Sequence, residues 1–158
     1  VKTTTIHPKL LAQRGLEIVV NEGTPPEIGA QVVEHLRACA MLIPPWVQFI
    51  TVCFHANGRH DAELQSKTEY RRCRVIVTGN WLLYDERYRR QILCHEIAHM
   101  WMAGLHDAFY TVVSTAMPDA DEPARRLAEY LFDDAEEQSA ESIGWLMQSL
   151  LAIQEARP

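Results

Sequence analysis

The segment His95-Glu96-Ile97-Ala98-His99 constrains this chain more than any other stretch. On an α-helix, residues four apart differ by about 40° in direction and by one turn in height. Two imidazoles at that spacing project from one face and can share one tetrahedral metal ion. Glu96 is rotated about 100° from His95, so it stands beside such an ion, where it can take a proton from water. The fold must therefore supply a helix across residues 95–99 and bury part of it. It must also bring a third ligand from elsewhere, because two histidines do not fill a zinc site.

The rest of the chain sets the frame for that helix. Its 158 residues suffice for one domain with one core, expected over residues 1–158. Apolar residues at 47% and charged residues at 23% exclude a disordered tail or a fibre. Fifteen basic against 21 acidic residues give a formal charge of −6, which argues against a nucleic-acid binder. Cys39, Cys53, Cys73 and Cys94 form no CxxC pair. They read as buried thiols in a reducing cytoplasm rather than a zinc ribbon. Val1–Leu11 has no apolar signal-peptide core, and no run of about 18 apolar residues is present, so no membrane partner is expected. The chain opens on Val1, so a trimmed N-terminus is expected.

The element pattern reads as α+β. Leu16–Val20 is β-rich and stops at Asn21-Glu22-Gly23-Thr24-Pro25-Pro26. Ile28, Val32, Val33, Leu36 and Ala40 recur at helical spacing and predict a helix over Pro26–Leu42, stopped by Pro44-Pro45. Val47–Phe54 is apolar on both faces, as in a buried strand. Residues His55–Glu69 are polar and read as a loop. Arg71–Val77 sets Cys73, Val75 and Val77 against Arg72 and Arg74, the pattern of an exposed strand at a sheet edge. A helix is then expected from an Asp85 cap to Ala103, with Gly104 just past its end. Ala108–Pro118 reads as an irregular connection. Asp121 or Glu122 with Pro123 opens a further helix, and a last one runs from about Ala135 to Ile153.

The acids of that last helix are the candidate third ligands, alongside His106. A third histidine at residue 105, with glycine at 102, is excluded by Leu105 and Met102. On a helical wheel Glu136 lies nearer the centre of the stripe formed by Ala140, Ile143 and Met147, with Glu137 at its edge. Between Asp119 and Glu141 there are nine acids against two arginines, so the negative charge is concentrated on this segment. A bound dication would offset part of that repulsion.

His95-Glu96-Ile97-Ala98-His99 followed by Glu137-Gln138-Ser139-Ala140-Glu141-Ser142-Ile143-Gly144 resembles the gluzincin arrangement. The size and order resemble the small single-domain members, the ImmA/IrrE-type and phage-borne zincin-like peptidases. That resemblance implies a zincin-like fold, with a small mixed or antiparallel sheet packed on the active-site helix. A C-terminal helix would supply the third ligand. It implies one zinc ion held by His95, His99 and Glu137, with Glu141 behind a ligating histidine, His95 by preference. Gly144 matches the small residue at which the two helices pack.

The function expected is that of a zinc metalloendopeptidase, with Glu96 as general base acting on a protein or peptide substrate. Tyr110, Tyr130 and His106 are candidate donors to a developing oxyanion. A strand at Arg71–Val77 could pair with an extended substrate, and its arginines would suit an acidic one. Two alternatives stay open on the sequence. One is a zincin-fold binding, regulatory or phage-assembly protein with little proteolysis. The other is a metal-dependent hydrolase of a non-peptide amide.

Overall fold

The computed structural model describes residues 15–58, 60–116 and 122–156. Val1–Leu11, Pro118 in the expected connection and Asp121 at the expected helix start lie outside the described residues. The architecture is α+β, with a mixed four-stranded sheet and three α-helices. The strands are β1 (Glu17–Val20), β2 (Phe49–His55), β3 (Ala62–Lys67) and β4 (Arg72–Thr78). The helices are α1 (Pro26–Ala38), α2 (Glu86–Ala116) and α3 (Glu122–Glu155). The sheet order is β1-β2-β4-β3, with β1, β2 and β4 parallel and β3 antiparallel to β4.

Helix α1 starts on Pro26, whose missing N–H costs nothing in a first turn. It buries Ile28, Val32 and Leu36 and ends at Ala38, one turn before the Leu42 expected from periodicity. The core gathers these residues with Ile50, Val52, Val75 and Val77 of the sheet and Leu93, Ile97 and Met100 of α2. Fully buried Trp81 ties the layers together. Its indole N–H donates to Gln31 at 3.1 Å, and Arg89 Nε donates to its carbonyl at 2.9 Å. All four cysteines are buried thiols outside any disulfide, as read from their isolation in the sequence.

Two strand expectations are corrected. Residues Ala62–Lys67, read as loop, form the edge strand β3. Consequently β4 lies inside the sheet, between β2 and β3, rather than at an edge. Its arginines are exposed because they occupy the solvent face of an interior strand. Arg72 sits over the Phe49 ring at 5.3 Å, and Arg74 donates to Gln65 at 3.5 Å.

Two helix expectations are corrected as well. Helix α2 does begin at an Asp85 cap, whose Oδ1 accepts the Tyr88 N–H at 2.8 Å. It does not stop at Gly104, however, and continues through Ala108 to Ala116. The two last helices are one continuous α3. Packing between them supplies the reason: Phe109 stacks on Phe132 at 3.9 Å, and the Tyr110 hydroxyl donates to Asp133 at 2.9 Å. Such contacts outweigh the roughly 1 kcal/mol helix penalty of one glycine. Contacts pair Arg87 with Gln148, His95 with Gly144 and Tyr110 with Asp133, so α2 and α3 run antiparallel. Among the described residues no helix is long and apolar enough to cross a membrane.

Candidate metal centre

Three contacts hold β3 over the middle of α2. Asp61, just before β3, accepts the Tyr84 hydroxyl at 2.6 Å and the Asn80 amide at 3.4 Å, which fixes the strand's start near the start of α2. The Thr68 hydroxyl, just after β3, donates to Asp107 of α2. Between these anchors the Leu64 backbone N–H donates to the Glu96 carboxylate. A cleft of about 640 Å³ opens between β3 and the α2–α3 pair.

At its floor His95 and His99 project together, as their spacing requires, with their Nε2 atoms 3.1 Å apart. Glu137 of α3 completes the group. Its Oε2 lies 3.4 Å from His95 Nε2 and its Oε1 lies 3.4 Å from His99 Nε2. Helix α3 approaches closely enough because residue 144 is glycine. A Cβ there would stand 3.1 Å from both the backbone N and the Cα of His95.

The two Glu137 separations, each from a different carboxylate oxygen, are those a zinc ion would need, and the 3.1 Å between the two Nε2 atoms is slightly shorter. Bonds of 2.0–2.2 Å at tetrahedral angles place neighbouring ligand atoms about 3.3–3.6 Å apart. The donor set, two imidazoles and a carboxylate, is that of catalytic zinc, which leaves a fourth position open. The Glu137 side chain is 65% exposed, consistent with a ligand that faces a cleft.

The neighbouring acid has a different task. Glu136, only 14% exposed, accepts from His99 Nδ1 at 3.2 Å. A proton held on Nδ1 leaves the lone pair of Nε2 turned toward the cleft, the tautomer a metal ligand needs. The bracing acid read from the sequence was Glu141, behind His95. In the structure Glu141 stands exposed and reaches His95 through its charge alone, not through a hydrogen bond. His106 does not join His95 and His99. It packs against the Tyr110 ring at 4.6 Å and groups with Asp133 and Glu136.

Electrostatics separate the roles further. Burial, then the neighbouring His99, holds the His95 imidazole below its usual range and so keeps it neutral. Glu96 is 6% exposed, and its carboxyl is pushed up to about 8. Burial is the larger cause, followed by the negative charges of Glu137 and Glu63, while the Leu64 N–H works the other way. A carboxyl poised near neutrality can both take and return a proton. Burial and the Asp133 bond push the Tyr110 phenol up to about 12, so it remains a donor. His106 and Tyr110 line the cleft, whereas Tyr130 is exposed and does not. Neither Arg72 nor Arg74 lines it either, so the expectation of an acidic substrate loses its basis. Comparison with family models, curated proteins and solved structures returns no match, so the centre is read from its own geometry.

Proposed function

We propose that this chain is a zinc-dependent peptidase with a zincin-like fold, working on a protein or peptide substrate. The observation that carries the reading is the convergence of His95, His99 and Glu137, their nitrogen and oxygen atoms 3.1–3.4 Å apart, with buried Glu96 beside them. A zinc ion at this centre would supply Lewis acidity toward water and toward the substrate carbonyl. His95, His99 and Glu137 would hold it, and Glu136 would keep His99 in its ligating tautomer.

The chain's own part is proton handling and positioning. Glu96 takes a proton from the attacking water and returns it to the departing amine. Its Leu64 N–H contact aims the carboxylate, and its burial keeps bulk water from competing for the proton. His106, on the cleft wall, donates to oxygen as negative charge grows there, while the Tyr110 hydroxyl is held by Asp133. The open edge of β3 offers backbone groups to an extended substrate, taking the place expected of Arg71–Val77. Four thiols outside any disulfide suit a reducing compartment such as the cytoplasm.

The test is cleavage of a peptide mixture by the zinc-loaded full chain, read by mass spectrometry beside Glu96→Gln. The wild type should generate defined products, and Glu96→Gln should be slower by about 100-fold or more. Equal cleavage by the two proteins would remove Glu96 from the reaction.

A further inference from the structure

The four buried cysteines differ in their surroundings. Cys53 stands opposite Ile76 and Cys73 opposite Ile50, so the sheet register holds these two about 10 Å apart. Cys39 and Cys94 meet. Both are fully buried, and the Cys39 thiol donates a hydrogen bond to the Cys94 sulfur. They come from different elements. Cys39 closes the C-terminal end of α1, where its N–H donates to the His35 carbonyl at 3.0 Å. Cys94 belongs to α2 and immediately precedes the ligand His95. A second contact holds the two segments together, because the Trp101 indole N–H of α2 donates at 2.7 Å to the carbonyl of Leu42, three residues after Cys39. Helix α3 backs the peptide between Cys94 and His95. A Cβ at Gly144 would stand 3.1 Å from His95 N and 3.4 Å from the Cys94 carbonyl carbon.

We propose that Cys39 and Cys94 are an oxidation site, joined as a disulfide by hydrogen peroxide, and that the bond weakens metal binding at His95. The second half rests on the metal-centre reading above and names its regulation. Helix ends fray, so Cys39 is the sulfur that a water-sized oxidant reaches first. Its sulfur attacks one peroxide oxygen. The O–O bond breaks, an S–O bond forms, and the departing hydroxide takes the thiol proton as water. The Cys94 sulfur then attacks the Cys39 sulfur. The S–S bond forms, the S–O bond breaks, and the Cys94 proton leaves on a second water. Two thiols have then given two electrons to one peroxide. A disulfide holds its sulfurs about 2.05 Å apart, well inside a hydrogen-bonded contact, so the bond draws Cys94 toward α1. His95 is covalently next to it, and its backbone is drawn away from Gly144 and so from Glu137. A centre whose bonds must hold to about 0.2 Å weakens under such a shift.

The test treats the metal-free full chain with hydrogen peroxide, removes the excess, and alkylates the remaining thiols in denaturant before digestion and mass spectrometry. Peptides containing Cys39 and Cys94 should be found cross-linked, two hydrogens lighter than their sum, with Cys53 and Cys73 alkylated. Zinc is then titrated against a competing chelator. Oxidised wild type should bind about tenfold or more weakly than reduced wild type, and dithiothreitol should restore the affinity. Cys39→Ala, and separately Cys94→Ala, should form no cross-link and keep their zinc affinity within about threefold through the same treatment. Four alkylated cysteines in treated wild type, or a cross-link between any other pair, overturns the disulfide. A Cys39–Cys94 cross-link that leaves zinc affinity within about threefold overturns its control of the centre. So does an equal loss of affinity in treated Cys39→Ala, because the loss then arises from oxidation elsewhere. Reduced wild type that binds no zinc overturns the metal centre itself, while the cross-link still decides the cysteine pair.

Discussion

Glu136 and Glu137 are adjacent in sequence and do different work. Glu137 meets both Nε2 atoms, and Glu136 holds the far side of His99. Removing the brace should leave one zinc per chain while lowering affinity about 10–100-fold, so Glu136→Ala should lose metal to a chelator far more readily than wild type. Glu141→Ala, which breaks no hydrogen bond to a ligand, should stay within about threefold of wild type in the same competition. The buried Glu96 carboxyl carries a second consequence, for the metal-free protein. Its folded value, about 8, lies above the ordinary 4.5, so the folded chain keeps a proton that the unfolded chain releases between those values. Stability therefore falls as pH rises from about 4.5 toward 8, by something of the order of a few kcal/mol. Urea titrations of metal-free protein at pH 5.5 and pH 8 should show that loss, and Glu96→Gln should remove most of it. At this scale the paired histidines and their base were legible, because helical period alone fixes their relative directions. Which of two adjacent acids ligates was not, because about 100° separates them and the answer depends on how α3 is rotated against α2.

That rotation belongs to the elements. Helices α2 and α3 meet most closely where Gly144 lies against the His95 backbone, and the same approach carries Glu137 to the histidines. Gly144→Val forces the helices apart at that point. It should destabilise by about 1–3 kcal/mol and weaken zinc binding in parallel, measured by thermal melting and by zinc titration. Gly104 provides the contrast, since a Cβ there meets nothing within 4 Å. Gly104→Ala should stabilise by about 0.5–1 kcal/mol, with zinc affinity unchanged. This glycine also misdirects a reading of the sequence, which ends the helix there. The packing of Phe109 on Phe132 and the Tyr110–Asp133 hydrogen bond help carry α2 onward. Strand β3 was hidden for a related reason. Ala-Glu-Leu-Gln-Ser-Lys alternates only weakly in hydrophobicity, and its strand state comes from pairing with β4 and from the anchors at Asp61 and Thr68. The hydrophobic runs of β2 and β4 and the stripe of α1 were readable because burial leaves a periodic mark.

On the scale of the molecule, a sheet edge and two long helices enclose a cleft lined by acids among the described residues. Gathering that charge is unfavourable without a counter-ion, so metal binding at the proposed centre would be coupled to folding. Zinc at about 100 times its dissociation constant should stabilise the fold by about 2.7 kcal/mol, and chelator should reverse the shift in melting temperature. The α+β class was legible in the order of periodic segments. The closure of the cleft by β3 was not, since it depends on contacts between residues far apart in the chain. The central claim is that His95, His99 and Glu137 hold one metal ion, and metal content tests it most directly. Full-length protein prepared with zinc present and then freed of excess should carry one zinc per chain in wild type and in Glu96→Gln, and none in Glu137→Ala. Wild type without stoichiometric zinc would contradict the account, as would Glu137→Ala that keeps its zinc while Glu136→Ala loses it.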